Sequence, residues 1–161
     1  VYSLKSVLYE SLKNYRHMRP YTPEEIEVEV DEFHNNDYTK NRLKGLWSKK
    51  QSTRNSIHTS PYKFPTEEEL KKLQNSDVGD ILELPNEDRM ERAIELAKGY
   101  HKDWKSILDG LKKNTKFPAP IVIRDKMKNL YLLGGNTRLM LGTAMGYNLP
   151  IKIVDWNKEI Q

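Results

Sequence analysis

The chain contains no cysteine, and that absence removes disulfide frameworks, thiolate metal sites and cysteine nucleophiles together. It also fits a cytoplasmic protein. No apolar run approaches the roughly 20 residues that a membrane span needs, and the opening residues lack the continuous apolar stretch of a secretory signal. A soluble protein with no membrane partner is therefore expected. His17, His34 and His58 stand without metal-ligand spacing, so no structural metal is expected either. Acidic residues are missing from one long stretch: none occurs between Tyr38 and Thr66, where Lys40, Arg42, Lys44, Lys49, Lys50, Arg54 and Lys63 all fall.

That gap says more than the net charge of +4, which favours polyanionic partners only weakly. The segment just before it, from Glu24 to Asp37, is acid-rich. The 161 residues suit one ordinary domain plus an extension, and a charged fraction of 31% against 37% hydrophobic puts part of the chain at the surface.

Along the chain, Leu4, Val7, Leu8 and Leu12 recur at helical spacing and predict a short amphipathic helix over residues 2–16. Thr22-Pro23-Glu24-Glu25 predicts a helix start, with Thr22 as cap and Glu25 completing a capping box. The polar stretch from Asn35 to Pro65 reads as a partly helical basic arm and a loop, anchored by Leu43, Leu46, Trp47, Ile57, Tyr62 and Phe64. Trp47 among lysines is either a stacking platform for single-stranded nucleic acid or an anchor for the arm. Thr66-Glu67-Glu68-Glu69 repeats the capping pattern and opens a short helix ending near Asn75.

Val78 to Leu84 alternates loosely and is predicted as a first strand, broken by Pro85-Asn86. Helices are predicted over 87–99, on the spacing of Met90, Ala93, Ile94 and Ala97, and over 104–112, on Trp104, Ile107, Leu108 and Leu111. Lone His101 between them reads first as a surface residue. The last forty residues are the most regular. Ile121-Val122-Ile123 and Leu130 to Leu133 are predicted strands around a polar turn, 137–145 a helix stopped by Gly146, and 150–156 a last strand.

The informative segment is Leu132-Leu133-Gly134-Gly135-Asn136-Thr137-Arg138. A strand that ends in two glycines and enters a helix leaves backbone N–H groups unpaired at the helix start, where the macrodipole also favours negative charge. Arg138 in the first turn adds a bidentate donor to a phosphate. Asn136 and Thr137 either cap the helix or bind the same ligand. The plainer alternative is a tight turn beside a solvated arginine.

The order Pro-Ile-Val-Ile, polar turn, Tyr-Leu-Leu, Gly-Gly-Asn-Thr-Arg, helix, Gly-Tyr, Pro-Ile-Lys-Ile, over nearly forty residues, resembles the core of the ParB/sulfiredoxin-like superfamily. The resemblance implies an α/β (α+β) domain, a small mixed sheet with packed helices, over 76–161, with residues 1–75 as a helical and basic N-terminal extension. It implies that Gly134, Gly135, Asn136, Thr137 and Arg138 hold a nucleotide phosphate, with ATP or CTP and Mg²⁺ as the ligands to expect. Asn136 stands where sulfiredoxins carry their catalytic cysteine, which excludes sulfinic-acid reduction. Thr137 stands where partition proteins usually have the first of two arginines, which argues against chromosome partition.

Free-serine kinases of this superfamily place an acid soon after the first strand, and Glu83, Glu87 and Asp88 occupy that neighbourhood. The resemblance makes Glu87, with Asp88 beside it, the candidate general base or magnesium ligand. A first-turn acid that complements the helix dipole is the simpler reading of Glu87. The opening, with Leu8-Tyr9-Glu10, also resembles the head-targeting leader of internal proteins in large tailed phages, which would place the protein in the host cytoplasm. Three functions are carried forward: a nucleotide-phosphate-binding protein, as an NTPase or phosphotransferase where it turns over; a DNA-binding or nuclease-like protein whose basic arm tracks the backbone; and a non-catalytic interaction module. Whether the protein is an enzyme, and its oligomeric state, stay open at this stage.

Overall fold

The structure, a computed structural model, describes residues 12–35, 57 and 59–155. The basic residues Lys40, Arg42, Lys44, Lys49, Lys50 and Arg54, the stacking candidate Trp47 and the Leu8-Tyr9-Glu10 leader lie outside the described residues.

The fold is mixed α and β, with six helices among the described residues. Its centre is a four-stranded sheet. Strand β5 (Ile121–Arg124) pairs antiparallel with β6 (Leu130–Gly134) and parallel with β8 (Ile151–Asp155), and β8 pairs antiparallel with the short β3 (Tyr62–Lys63). Asp125 closes the β5–β6 turn by accepting hydrogen bonds from the amides of Met127 at 2.9 Å and Asn129 at 2.8 Å.

Both faces of this sheet are covered, which is why β6 is apolar without alternation and buried at every position. Ile121, Ile123, Tyr131, Leu133 and Val154 face one side, where Ile26 and Val30 of helix α1 (Pro23–Asn35) meet them. Val122, Leu130, Leu132 and Ile151 face the other, under helices α2 (Glu67–Lys71), α3 (Val78–Glu83), α4 (Asn86–Gly99), α5 (Trp104–Lys112) and α6 (Asn136–Ala144). Helix α6, which links β6 to β8, packs against α3, α4 and α5 and so sits in the middle of that layer.

Both capping boxes read in the sequence are present. Thr22 accepts from the Glu25 amide at 3.2 Å while Glu25 accepts from the Thr22 amide at 2.9 Å, and Thr66 and Glu69 repeat the pair at 3.1 and 3.0 Å.

Two expectations are corrected. Val78 to Leu84 is not a strand but the helix α3: Val78, Ile81 and Leu82 are its buried residues, spaced three and four apart, a helical period hidden in a loose alternation. Buried Arg89 closes its end by donating to the carbonyls of Leu82 at 3.0 Å and Leu84 at 2.9 Å. Of the helix predicted over 2–16, residues 2–11 lie outside the described residues, and from Leu12 to Arg16 the chain is not helical. Lys13–Asn14 forms β1, parallel to β7 (Tyr147–Asn148), because its amides pair with that strand and not within the segment. Met18–Arg19 forms β2, parallel to β4 (Phe117–Pro118). The described part of residues 12–75 thus supplies three short strands and two helices, each laid against the C-terminal half.

Segment 73–75 guards the free edge of β6. Leu73 bridges Leu130 in parallel, and the Asn75 side chain acts as a strand in miniature, accepting from the Leu132 amide at 2.5 Å and donating to the Leu132 carbonyl at 2.6 Å.

Candidate functional site

The β6–α6 turn depends on its two glycines for different reasons. Gly135 has φ +100°, and a Cβ there would stand 2.9 Å from both Pro120 Cβ and an Arg138 terminal nitrogen, so strain and crowding both select glycine. Gly134 is ordinary strand, but the Glu29 side chain of α1 lies against it: Glu29 Cγ is 2.9 Å from where a Cβ on Gly134 would be, and the carboxylate is closer still. The first helical hydrogen bond of α6 runs from the Leu139 amide to the Gly135 carbonyl at 2.9 Å. Gly135 stands at the cap position and has no side chain to offer the first-turn amides of α6.

A cavity of about 760 Å³ opens over this turn. Gly134, Gly135, Asn136, Thr137 and Arg138 all line it, with Asn75, Ser76 and Asp77 on one side, Tyr100, Lys102 and Ile107 from the α4–α5 region, and Glu29 and Glu32 from α1. The structure therefore brings the whole predicted turn onto one wall. Glu87 and Asp88, the predicted acids, are exposed in the first turn of α4 and do not line the cavity. His101 is exposed, with φ +56°, between two residues that do.

The polar groups of the wall are largely tied to one another. The Asn136 carbonyl oxygen accepts from the Ser76 hydroxyl at 2.7 Å and the Asp77 amide at 3.3 Å, and its amide nitrogen donates to the Asp77 carboxylate at 3.2 Å. The same Asp77 oxygen accepts from the Tyr100 hydroxyl at 2.7 Å, which pushes the Tyr100 phenol up to about 12. Asn136 therefore acts first as a clamp between the turn and the start of α3.

Arg138 reaches under the wall to Tyr21. One terminal nitrogen donates to the Tyr21 hydroxyl, the guanidinium carbon lies 5.4 Å from the ring centroid, and the buried Nε has no hydrogen-bond partner among the described residues. Burial pushes the Tyr21 phenol up to about 12, with the Arg138 charge opposing it.

Glu29, Glu32, Asp77, Tyr100 and Lys102 are among the wall residues that sequence reasoning missed. Burial raises the Glu29 carboxyl above its ordinary range; Arg138 and Lys102 pull it down, and Glu32 and Glu25 push it up. Glu29 and Glu32 belong to the acid-rich run from Glu24 to Asp37 and fall three apart on one helix face, but acids elsewhere in the run carry the same signal. Among the described residues, no group of three or more His, Asp or Glu side chains is arranged to hold a metal ion, and no helix is long and apolar enough to cross a membrane. No family model, no curated protein and no solved structure matches this chain.

Proposed function

We propose that the chain is a ParB/sulfiredoxin-like protein that seats a nucleotide phosphate on the Gly134–Arg138 turn. The observation that carries this reading is the cavity of about 760 Å³ standing over the uncapped start of α6. Its volume lies within the range of small-molecule sites, roughly 300–1,000 Å³. Helix-start amides and the dipole favour an anion there, and Arg138 and Lys102 add positive charge on the same wall. The order of β5, β6, α6 and β8 supports the resemblance that first suggested it.

Binding is the claim; turnover by an NTPase or phosphotransferase is a further step. The acids beside the seat are Glu29, Glu32 and Asp77. A ligand panel of ATP, CTP, GTP and ADP with Mg²⁺, read by thermal shift and calorimetry on wild type and Arg138→Gln, tests the seat. A ligand that binds only the folded state stabilises it by about 2.7 kcal/mol at a hundredfold excess over its dissociation constant. Stabilisation of wild type, much reduced in the variant, is the expected result. No stabilisation by any nucleotide makes the turn structural and the protein an interaction module. In that case nucleic-acid binding by the basic residues 40–54 becomes the next question.

A further inference from the structure

The wall of the cavity carries three carboxylates, Glu29, Glu32 and Asp77, against two cations, Lys102 and Arg138. That balance is unusual for a seat meant for a polyanion. Arg138 spends one donor on Tyr21, and Asp77 is held by Tyr100 and Asn136; Glu29, half-buried, is the carboxylate that lies against the turn itself.

Its placement is specific. Helix α1 crosses β6, and the Glu29 side chain runs over Gly134 through space that any Cβ on that residue would fill. The carboxylate therefore rests at the end of β6, one residue before the cap position of α6 where the phosphate seat begins.

We propose that Glu29 selects the charge state of the ligand: the site accepts a nucleotide phosphate whose charge is offset by a bound divalent cation and turns away the bare polyanion. This rests on the phosphate-seat reading above. A bare triphosphate at the start of α6 brings several negative charges against the Glu29 carboxylate, with Glu32 one helical turn further on. The same triphosphate carrying Mg²⁺ presents less negative charge and sets a cation against the carboxylate. The ion arrives with the ligand and needs no site of the protein's own. Complementary charge then becomes the basis of discrimination, through repulsion of the wrong form as much as attraction of the right one.

The test is calorimetric titration of ATP and of CTP into wild type, Glu29→Gln and Arg138→Gln, each with Mg²⁺ and with EDTA, after thermal melts have shown all three proteins folded. Glu29→Gln keeps the shape of the side chain and removes only its charge. Wild type is expected to bind at least about tenfold more weakly in EDTA, and Glu29→Gln to bring the two affinities within about threefold by strengthening the bare form. An unchanged ratio in Glu29→Gln, or equal affinities in wild type, overturns charge selection while binding that is lost in Arg138→Gln keeps the seat. Absence of binding to wild type in both buffers overturns the seat and charge selection together.

Discussion

Glu29 and Gly134 share one space: the acid on α1 lies across the glycine at the end of β6, with Glu29 Cγ 2.9 Å from the position a Cβ would take. Gly134 has ordinary strand dihedrals, so alanine there meets no backbone strain and its only obstacle is a flexible side chain. Gly134→Ala is expected to lower stability by about 1 kcal/mol in wild type, by driving the Glu29 side chain off the turn. In a Glu29→Ala background the same substitution should be neutral or mildly stabilising, since Gly is a poor strand residue. A denaturant double-mutant cycle reads the coupling directly. Equal costs in both backgrounds would mean that α1 does not hold Glu29 against β6.

Tyr21 is buried between α1 and the sheet, and its hydroxyl is the acceptor for Arg138. Its phenol is pushed up to about 12 from 10.0, so the folded state keeps a proton that the unfolded state releases. Stability from this group is complete below about pH 10 and is lost as pH rises toward 12, by roughly 2–3 kcal/mol. Tyr21→Phe is expected to flatten this alkaline limb. It should also cost about 1–2 kcal/mol at neutral pH, because an Arg138 N–H loses its acceptor. Urea melts across pH on both proteins give the two slopes.

The last forty residues were legible because each element there carries its own local signal. Ile121 to Ile123 and Leu130 to Leu133 are short buried strands, Gly134-Gly135 marks the turn, and Gly146, at φ +87°, stops α6. The capping residues Thr22 and Thr66 were equally plain, since a cap is a contact between residues three apart. Helix α3 was misread because six residues hold less than two turns, too few for Val78, Ile81 and Leu82 to outvote an apparent alternation. The acids of the site were hidden for another reason. Glu29 meets Gly134 only after α1 packs on β6, and nothing in the run from Glu24 to Asp37 distinguishes the face that turns inward to the cavity from a solvated one. Glu87 and Asp88 carry the expected chemistry at the expected distance from a strand that proved to be a helix, so the geometry that would have aimed them is missing.

Glu25 joins the capping box of α1 to the strand before it. Its carboxylate takes both Arg19 terminal nitrogens, at 2.7 and 2.9 Å, and the Thr22 amide at 2.9 Å. These hold its pKa down to about 2 from 4.5. A depressed carboxyl contributes stability that is complete above the unfolded value and is lost as pH falls from about 4.5 toward 2. The pair is partly open to solvent, so its share is below about 1 kcal/mol. Glu25→Gln is expected to flatten the acid limb of a thermal-stability profile in that window while moving the alkaline limb little.

Asn75 supplies the most local of the tests. Its side chain occupies both backbone groups of Leu132 on the open edge of β6, two residues before Gly134. Leu132 is buried, so without Asn75 its amide has neither a strand partner on that side nor free access to water. Asn75→Ala should therefore cost about 1–3 kcal/mol. Asn75→Asp should cost more, because a carboxylate oxygen would replace the donor facing the Leu132 carbonyl and put two acceptors together. Amide hydrogen exchange followed by NMR resolves this from general loosening: in Asn75→Ala the Leu132 amide should lose protection well beyond that of Ile123 and Val154 in the strands on the other side of the sheet. If protection falls equally along β5, β6 and β8, Asn75 acts on the stability of the whole fold and does not specifically guard the strand that leads into the Gly134–Arg138 turn.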